Sequence, residues 1–315
     1  METKYLDRFN EWKSNPQLDE ESKKALLSMS ESEIEDAFFR ELAFGTGGLR
    51  GVLGVGTNRM NQYTVRKATQ GLANHLKKHF KNARVAIGYD SRLFSREFAY
   101  DSASVLSSNG IEAFIYPVLL PTPVVSFTVR RLNCQAGIMV TASHNPKEYN
   151  GYKVYGPDGC QATDELANAI SAEIDNVNIF KDVKVGDNSL VHEIGDDIYQ
   201  EFLASTIKKS LLPKGERSLK IAYTPLNGTG RVPVQDILHM DGFNNIEVVK
   251  EQEMPDGNFT TCPYPNPEMR PALELGVKLL KEKECDILIA NDPDCDRIGM
   301  VSRDKEGIHY YTGNE

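Results

Sequence analysis

The chain alternates short apolar runs with amphipathic stretches, and this alternation restricts its fold more than any other feature. "ARVAIGYD" (83–90), "EAFIYP" (112–117) and "GIMV" (137–140) read as strands, while "VRKATQGLANHLKKHF" (65–80) and "SREFAYDSASVLSSNG" (95–110) carry helical spacing. Such alternation builds βαβ units around a mostly parallel sheet. After helices near 164–175 and 197–210, "LLPKGERS" (211–218) combines proline, glycine and charge and reads as a domain boundary. A second cycle follows: strand "LKIAYT", glycine loop "PLNGTG", helix, strand "IEVV", the proline-rich "CPYPNPEMRP", helix, and strand "DILIAND". Residues 1–44 read as helical, with a Ser30-x-x-Glu33 capping box and Gly45 as the stop. The expected fold is α/β: tandem three-layer α/β/α domains with mostly parallel mixed sheets, over 45–210 and 211–315, preceded by a helical extension over 1–44.

At 315 residues the chain suits about two domains. A formal charge of −9 argues against a nucleic-acid or anionic-membrane partner, since both require a basic face. The start is charged throughout, and the longest apolar stretch, "FIYPVLLPTPVV", is broken by Pro117, Pro121 and Pro123. Five cysteines, odd in number and without a CxxC pair, fit neither a disulfide framework nor a zinc knuckle, so the cytoplasm is the expected compartment.

Two motifs carry chemistry. In "GIMVTASHNPKEYNGYKVYGPDG" a buried strand ends in Ser143, His144 and Asn145, with Lys153 ten residues after the serine. The carboxyl end of such a strand is where open α/β sheets bind ligands. "TASHN" matches no G-x-S-x-G elbow, which leaves Ser143 as a turn cap or as a phosphoryl carrier served by a cation and basic donors. In "ILIANDPDCDRIG" the carboxylates of Asp292, Asp294 and Asp296 crowd one turn, which is costly without a cation, and hard oxygen ligands select Mg2+. An EF-hand is excluded because Arg297 and Arg303 stand where its glycine and bidentate glutamate belong. Two weaker candidates are Gly228 and Gly230 of "PLNGTGR", whose backbone N–H groups can hold phosphate or simply make a tight turn, and Arg92 of "GYDSR", facing the cleft or a surface salt bridge.

"TASHNPKEYNGYKVYGPDG", "NDPDCDRIG" and "FGTGGLRG" together resemble the α-D-phosphohexomutase superfamily, and the helical preamble is most similar to the branch of phosphoglucomutases with phosphopentomutase activity. The resemblance runs from about Phe44 to the last residue. It implies that Ser143 is the phosphorylated serine, that Asp292, Asp294 and Asp296 bind Mg2+ with a phosphoserine oxygen of Ser143, and that Arg297 steadies the transferring group. It assigns Arg50, His144 and Lys153 to phosphate contact and proton transfer; a lysine among other cations has a lowered pKa and can act as base, and which residue does so stays open. The implied partner is a sugar phosphate, glucose 1-phosphate, glucose 6-phosphate or a related hexose or pentose phosphate, isomerised through a bisphosphate. Members of the superfamily have four domains, so the resemblance implies a chain lacking domains III and IV. A silent relative that only binds metal and sugar phosphate is the alternative.

Overall fold

The computed structural model describes residues 3–211 and 217–315. Three helices, α1 (Thr3–Ser14), α2 (Glu20–Ser28) and α3 (Glu31–Phe38), form the opening layer. The Ser30 capping box is present: its hydroxyl accepts the Glu33 N–H while the Glu33 carboxylate accepts the Ser30 N–H. Gly45 is not the stop. The helix ends at Phe38 because the following backbone turns to bond the 57–58 loop, with the Leu42 N–H donating to Thr57 O and the Asn58 N–H to Ala37 O. Gly45 instead closes a tight turn with Gly48.

The first α/β unit runs β1 (Leu49–Val52), α4 (Gln62–His79), β2 (Arg84–Tyr89), α5 (Ser95–Ser108), β3 (Glu112–Ile115), α6 (Thr122–Arg131), β4 (Ala136–Val140), β5 (Tyr149–Tyr155), α7 (Asp164–Asp175), β6 (Val191–Glu193) and α8 (Asp196–Ile207). Its sheet has the order β1-β5-β4-β2-β3-β6, parallel from β4 to β6 and antiparallel where β5 joins β4 and β1. Helices α4, α5 and α7 cover one face and α6 and α8 the other. β4 is buried along its whole length, as its unbroken apolar run requires.

The second unit runs β7 (Ile221–Thr224), α9 (Pro233–Met240), β8 (Ile246–Val248), α10 (Lys250–Glu253), α11 (Arg270–Glu282), β9 (Ile287–Asn291), β10 (Ile298–Arg303) and β11 (Ile308–Tyr311). Its sheet has the order β11-β10-β9-β7-β8, with β8, β7 and β9 parallel and the β9-β10-β11 edge antiparallel. α11 packs its apolar face, Leu273, Val277 and Leu280, on this sheet. The punctuation expected as a domain boundary lies, in residues 212–216, outside the described residues. Among the described residues no helix is long and apolar enough to cross a membrane.

The opening layer docks through aromatic rings. Trp12, 1 % exposed, meets Phe38, Tyr63 and Phe180 edge-on at centroid distances of 5.7, 5.4 and 5.3 Å. Trp12→Ala should therefore cost about 3–5 kcal/mol in the docking of these helices. Urea denaturation followed by circular dichroism checks this, and a curve that overlays the wild type would show that another contact holds the layer.

Candidate active site

The serine loop is set by the end of β4. The Thr141 hydroxyl donates to Asp90 Oδ2 at 2.6 Å and accepts the Ser143 N–H at 2.8 Å. Ser143 takes a left-handed φ of +54°, which an L-residue adopts only at a cost, so its orientation is imposed by its surroundings. Its Oγ donates to Asp292 Oδ2 at 2.7 Å and lies 3.3 Å from His144 Nδ1. The hydroxyl is buried, with Ser143 4 % exposed, and bonds one of the carboxylates directly.

The D-x-D-x-D motif is the hairpin turn between β9 and β10. Asp292 Oδ1 accepts the backbone N–H groups of Asp296 and Arg297 at 3.1 and 3.0 Å, folding the turn around its own carboxylate. One oxygen from each of Asp292, Asp294 and Asp296 lies within 4.8 Å of the others. Burial, then the charges of Asp294 and Asp296, hold the Asp292 carboxyl well above the usual carboxylate range. For Asp294, burial alone would raise the pKa, but Lys153 and hydrogen-bond donors outweigh it and hold the group ionised. Asp294 Oδ1 is buried with no hydrogen-bond partner. An orphaned carboxylate oxygen beside two more carboxylates is a donor set that fits a hard divalent cation such as Mg2+.

Lys153 arrives by a route the sequence did not show. The polar stretch after β4 returns as β5, antiparallel to it, and places Lys153 opposite Met139. Its side chain is 7 % exposed, and Nζ bonds Asp294 Oδ2 at 2.8 Å and Asp296 Oδ2 at 3.0 Å. Burial would lower its pKa, but the two carboxylates outweigh burial and raise it. Where a lowered lysine pKa was expected, the facing carboxylates of Asp294 and Asp296 push it the other way and favour the cation. Thr122, at the start of α6, is the residue that sequence reasoning missed. Its N–H donates to Asp294 O and its hydroxyl to Asp294 Oδ2, both at 2.9 Å. Its only sequence signal was a threonine between Pro121 and Pro123 at a helix start.

Basic groups line the open side. Arg50 on β1 is exposed, with Nη1 3.2 Å from Asn145 Oδ1. Arg297, 39 % exposed at its side chain, lies 3.6 Å from Glu268. His144 has a lowered pKa through burial first, then through the charges of Arg297 and Arg50, so its imidazole is neutral at pH 7.

Two expectations are corrected. The Arg92 side chain is 0 % exposed and does not face the cleft or the surface; it donates to carbonyls beneath the serine loop. Gly228 and Gly230 are packing glycines. A Cβ on Gly228 would lie 2.4 Å from Pro293 Cα, one on Gly230 would lie 2.5 Å from the Tyr223 hydroxyl, and the neighbouring Thr229 N–H donates to Pro293 O at 2.8 Å. The glycine loop thus backs the carboxylate turn, which favours the tight-turn reading.

Cation binding by this turn should weaken on acidification. A ligand must shed its proton, and the raised pKa of Asp292 means that protons compete above the ordinary carboxylate range. Calorimetric Mg2+ titrations of the wild type should show this fall, and Asp294→Asn should lose at least about tenfold in affinity. An unaltered affinity in Asp294→Asn would leave the trio as a self-contained turn.

Comparison with known proteins places the chain in a family. Two family descriptions match: "Phosphoglucomutase/phosphomannomutase, alpha/beta/alpha domain I" over residues 41–179 and "alpha/beta/alpha domain II" of the same family over 197–307. A phosphoglucomutase of Staphylococcus haemolyticus is 38% identical over 284 residues, covering 89% of this chain and 52% of the relative. One from Staphylococcus epidermidis is 37% identical over 301 residues, covering 91% and 54%. The chain spans about half the length of the curated relatives it matches. A solved phosphoglucomutase/phosphomannomutase family protein from Burkholderia thailandensis shares the fold, with a TM-score of 0.68 at 23% identity over 85% of this chain and 55% of that one.

Proposed function

Because the chain belongs to the phosphoglucomutase/phosphomannomutase family of the α-D-phosphohexomutase superfamily, we propose that Ser143 and the carboxylate turn are the phosphoryl-transfer centre of a sugar-phosphate mutase. The observation that carries this reading is the 2.7 Å bond from Ser143 Oγ to Asp292, which puts a nucleophilic hydroxyl against the trio of carboxylates. The substrate class is a hexose or pentose monophosphate, glucose 1-phosphate or glucose 6-phosphate first among them. Five free cysteines support a cytoplasmic setting.

In the first half-reaction the bond between phosphorus and Ser143 Oγ breaks and a bond to the sugar oxygen forms. The sugar hydroxyl proton passes to a base, and the product is a bisphosphate. The reverse transfer of the other phosphoryl group restores phosphoserine. Asp292, Asp294 and Asp296 would hold Mg2+, which supplies charge neutralisation at the phosphoryl oxygens when bound. Lys153, fixed between Asp294 and Asp296, keeps a positive charge beside the transferring group. Arg50 and Arg297 offer planar forks to phosphate on the open side. His144, neutral and 3.3 Å from Ser143 Oγ, is the group best placed to accept the proton. The buried cluster must open to admit the sugar and close again, which keeps water from the phosphoserine.

Glucose 1,6-bisphosphate with Mg2+ should phosphorylate the wild-type chain once, seen as a phosphoryl increment in its intact mass. Ser143→Ala should take up none, and His144→Gln should slow uptake by about 10²–10⁴-fold. Labelling of Ser143→Ala at the wild-type rate would sink the assignment.

A further inference from the structure

Arg92 is enclosed on every side. Its Nη1 donates to the carbonyls of Pro146 at 2.9 Å and Tyr149 at 3.1 Å, and its Nη2 to those of Ser143 and Asn145 at 2.5 Å each. All four acceptors belong to the segment that leads from Ser143 into β5. Nε lies 3.3 Å from the Asp90 carboxylate, the same group that takes the Thr141 hydroxyl. The face of the guanidinium stacks on Phe259, 4.9 Å from the ring centroid. Phe259 is 0 % exposed and comes from the second α/β unit. Two residues earlier, Gly257 approaches so closely that a Cβ would lie 2.7 Å from Leu93 N and 2.8 Å from Ser91 O.

These contacts form one chain of dependence. A serine at φ +54° persists only where its surroundings over-determine it. Four carbonyls converging on one cation do so, and only the rigid fork of an arginine reaches all four; a lysine offers a point charge with three donors. Phe259 then closes the remaining face, so the cation is dry only while the second unit is docked.

We propose that Arg92 is the positioning residue of the Ser143 loop, and that Phe259, packed over its guanidinium, makes the loop's shape depend on docking of the carboxylate-bearing domain. This rests on the reading of Ser143 as the phosphoryl carrier. Its consequence is that Ser143 is shaped for transfer only when the carboxylate turn is in place.

The test compares the full wild-type chain with Arg92→Lys and Phe259→Leu by amide hydrogen exchange. Residues 142–150 should exchange at least about tenfold faster in Arg92→Lys and about threefold faster in Phe259→Leu, with β2 and β4 keeping wild-type protection. Phosphorylation of Ser143 by glucose 1,6-bisphosphate should slow in the same order, while the half-saturating bisphosphate concentration stays within about twofold. Phe259→Leu removes no charge and keeps the proposal decidable should Arg92→Lys fold poorly. Exchange unchanged in both variants, or raised equally along β2 and β4, overturns the proposal, as does a large rise in half-saturation, which would make Arg92 a ligand contact. A wild type that takes no phosphoryl group defeats the phosphoryl-carrier reading alone, because the exchange comparison still decides the positioning role.

Discussion

Three carboxylates in one turn repel one another, and the rest of the site exists to answer that repulsion. The turn cannot do so alone: its own backbone satisfies one oxygen of Asp292 and little else. The remaining compensation comes from the other α/β unit, as a cation from Lys153 and the hydroxyls of Thr122 and Ser143. Electrostatics therefore joins the two units at these side chains. Opening the cleft uncovers like charges, which makes a cation or an incoming phosphate with its counter-charge the natural occupant of the opened state.

The two units repeat one device. β4 ends in Thr141, whose hydroxyl accepts the N–H of the left-handed Ser143 at 2.8 Å; β7 ends in Thr224, whose hydroxyl accepts the N–H of the left-handed Leu226 at 3.1 Å. The first turn presents the Ser143 hydroxyl to Asp292. The second, with Gly228 pressed on Pro293, braces the turn that holds the carboxylates. A threonine at a strand end followed by a reversed residue is a way to aim the next few residues back over the sheet edge.

Much of this was legible in the sequence. The helical opening, the alternation and the tandem sheets follow from local period and capping, which act within a few residues. Ser143, Asp292 and Asp294 could be picked out because polar groups at the end of an apolar strand have few structural reasons to be there. What escaped were properties created by partners distant in sequence. The Lys153 ammonium is buried against a carboxylate 141 residues away in sequence. Arg92 turned inward because four carbonyls and a phenyl ring from elsewhere enclose it, and no window around "GYDSR" contains them. Gly228 could be read as a phosphate loop or a tight turn because the sequence records the absence of a side chain and not what fills the space. Thr122 was hidden between prolines for the same reason: its partner, Asp294, is 172 residues away.

The single tryptophan of the chain is Trp12, inside the aromatic cluster that docks the opening helices. Indole emission from this protein thus reports one interface, between that layer and the rings of Tyr63 and Phe180. The second α/β unit and the carboxylate turn are dark in the same spectrum. A fluorescence trace can stay flat while the site rearranges completely, and can shift when only the opening helices have come loose.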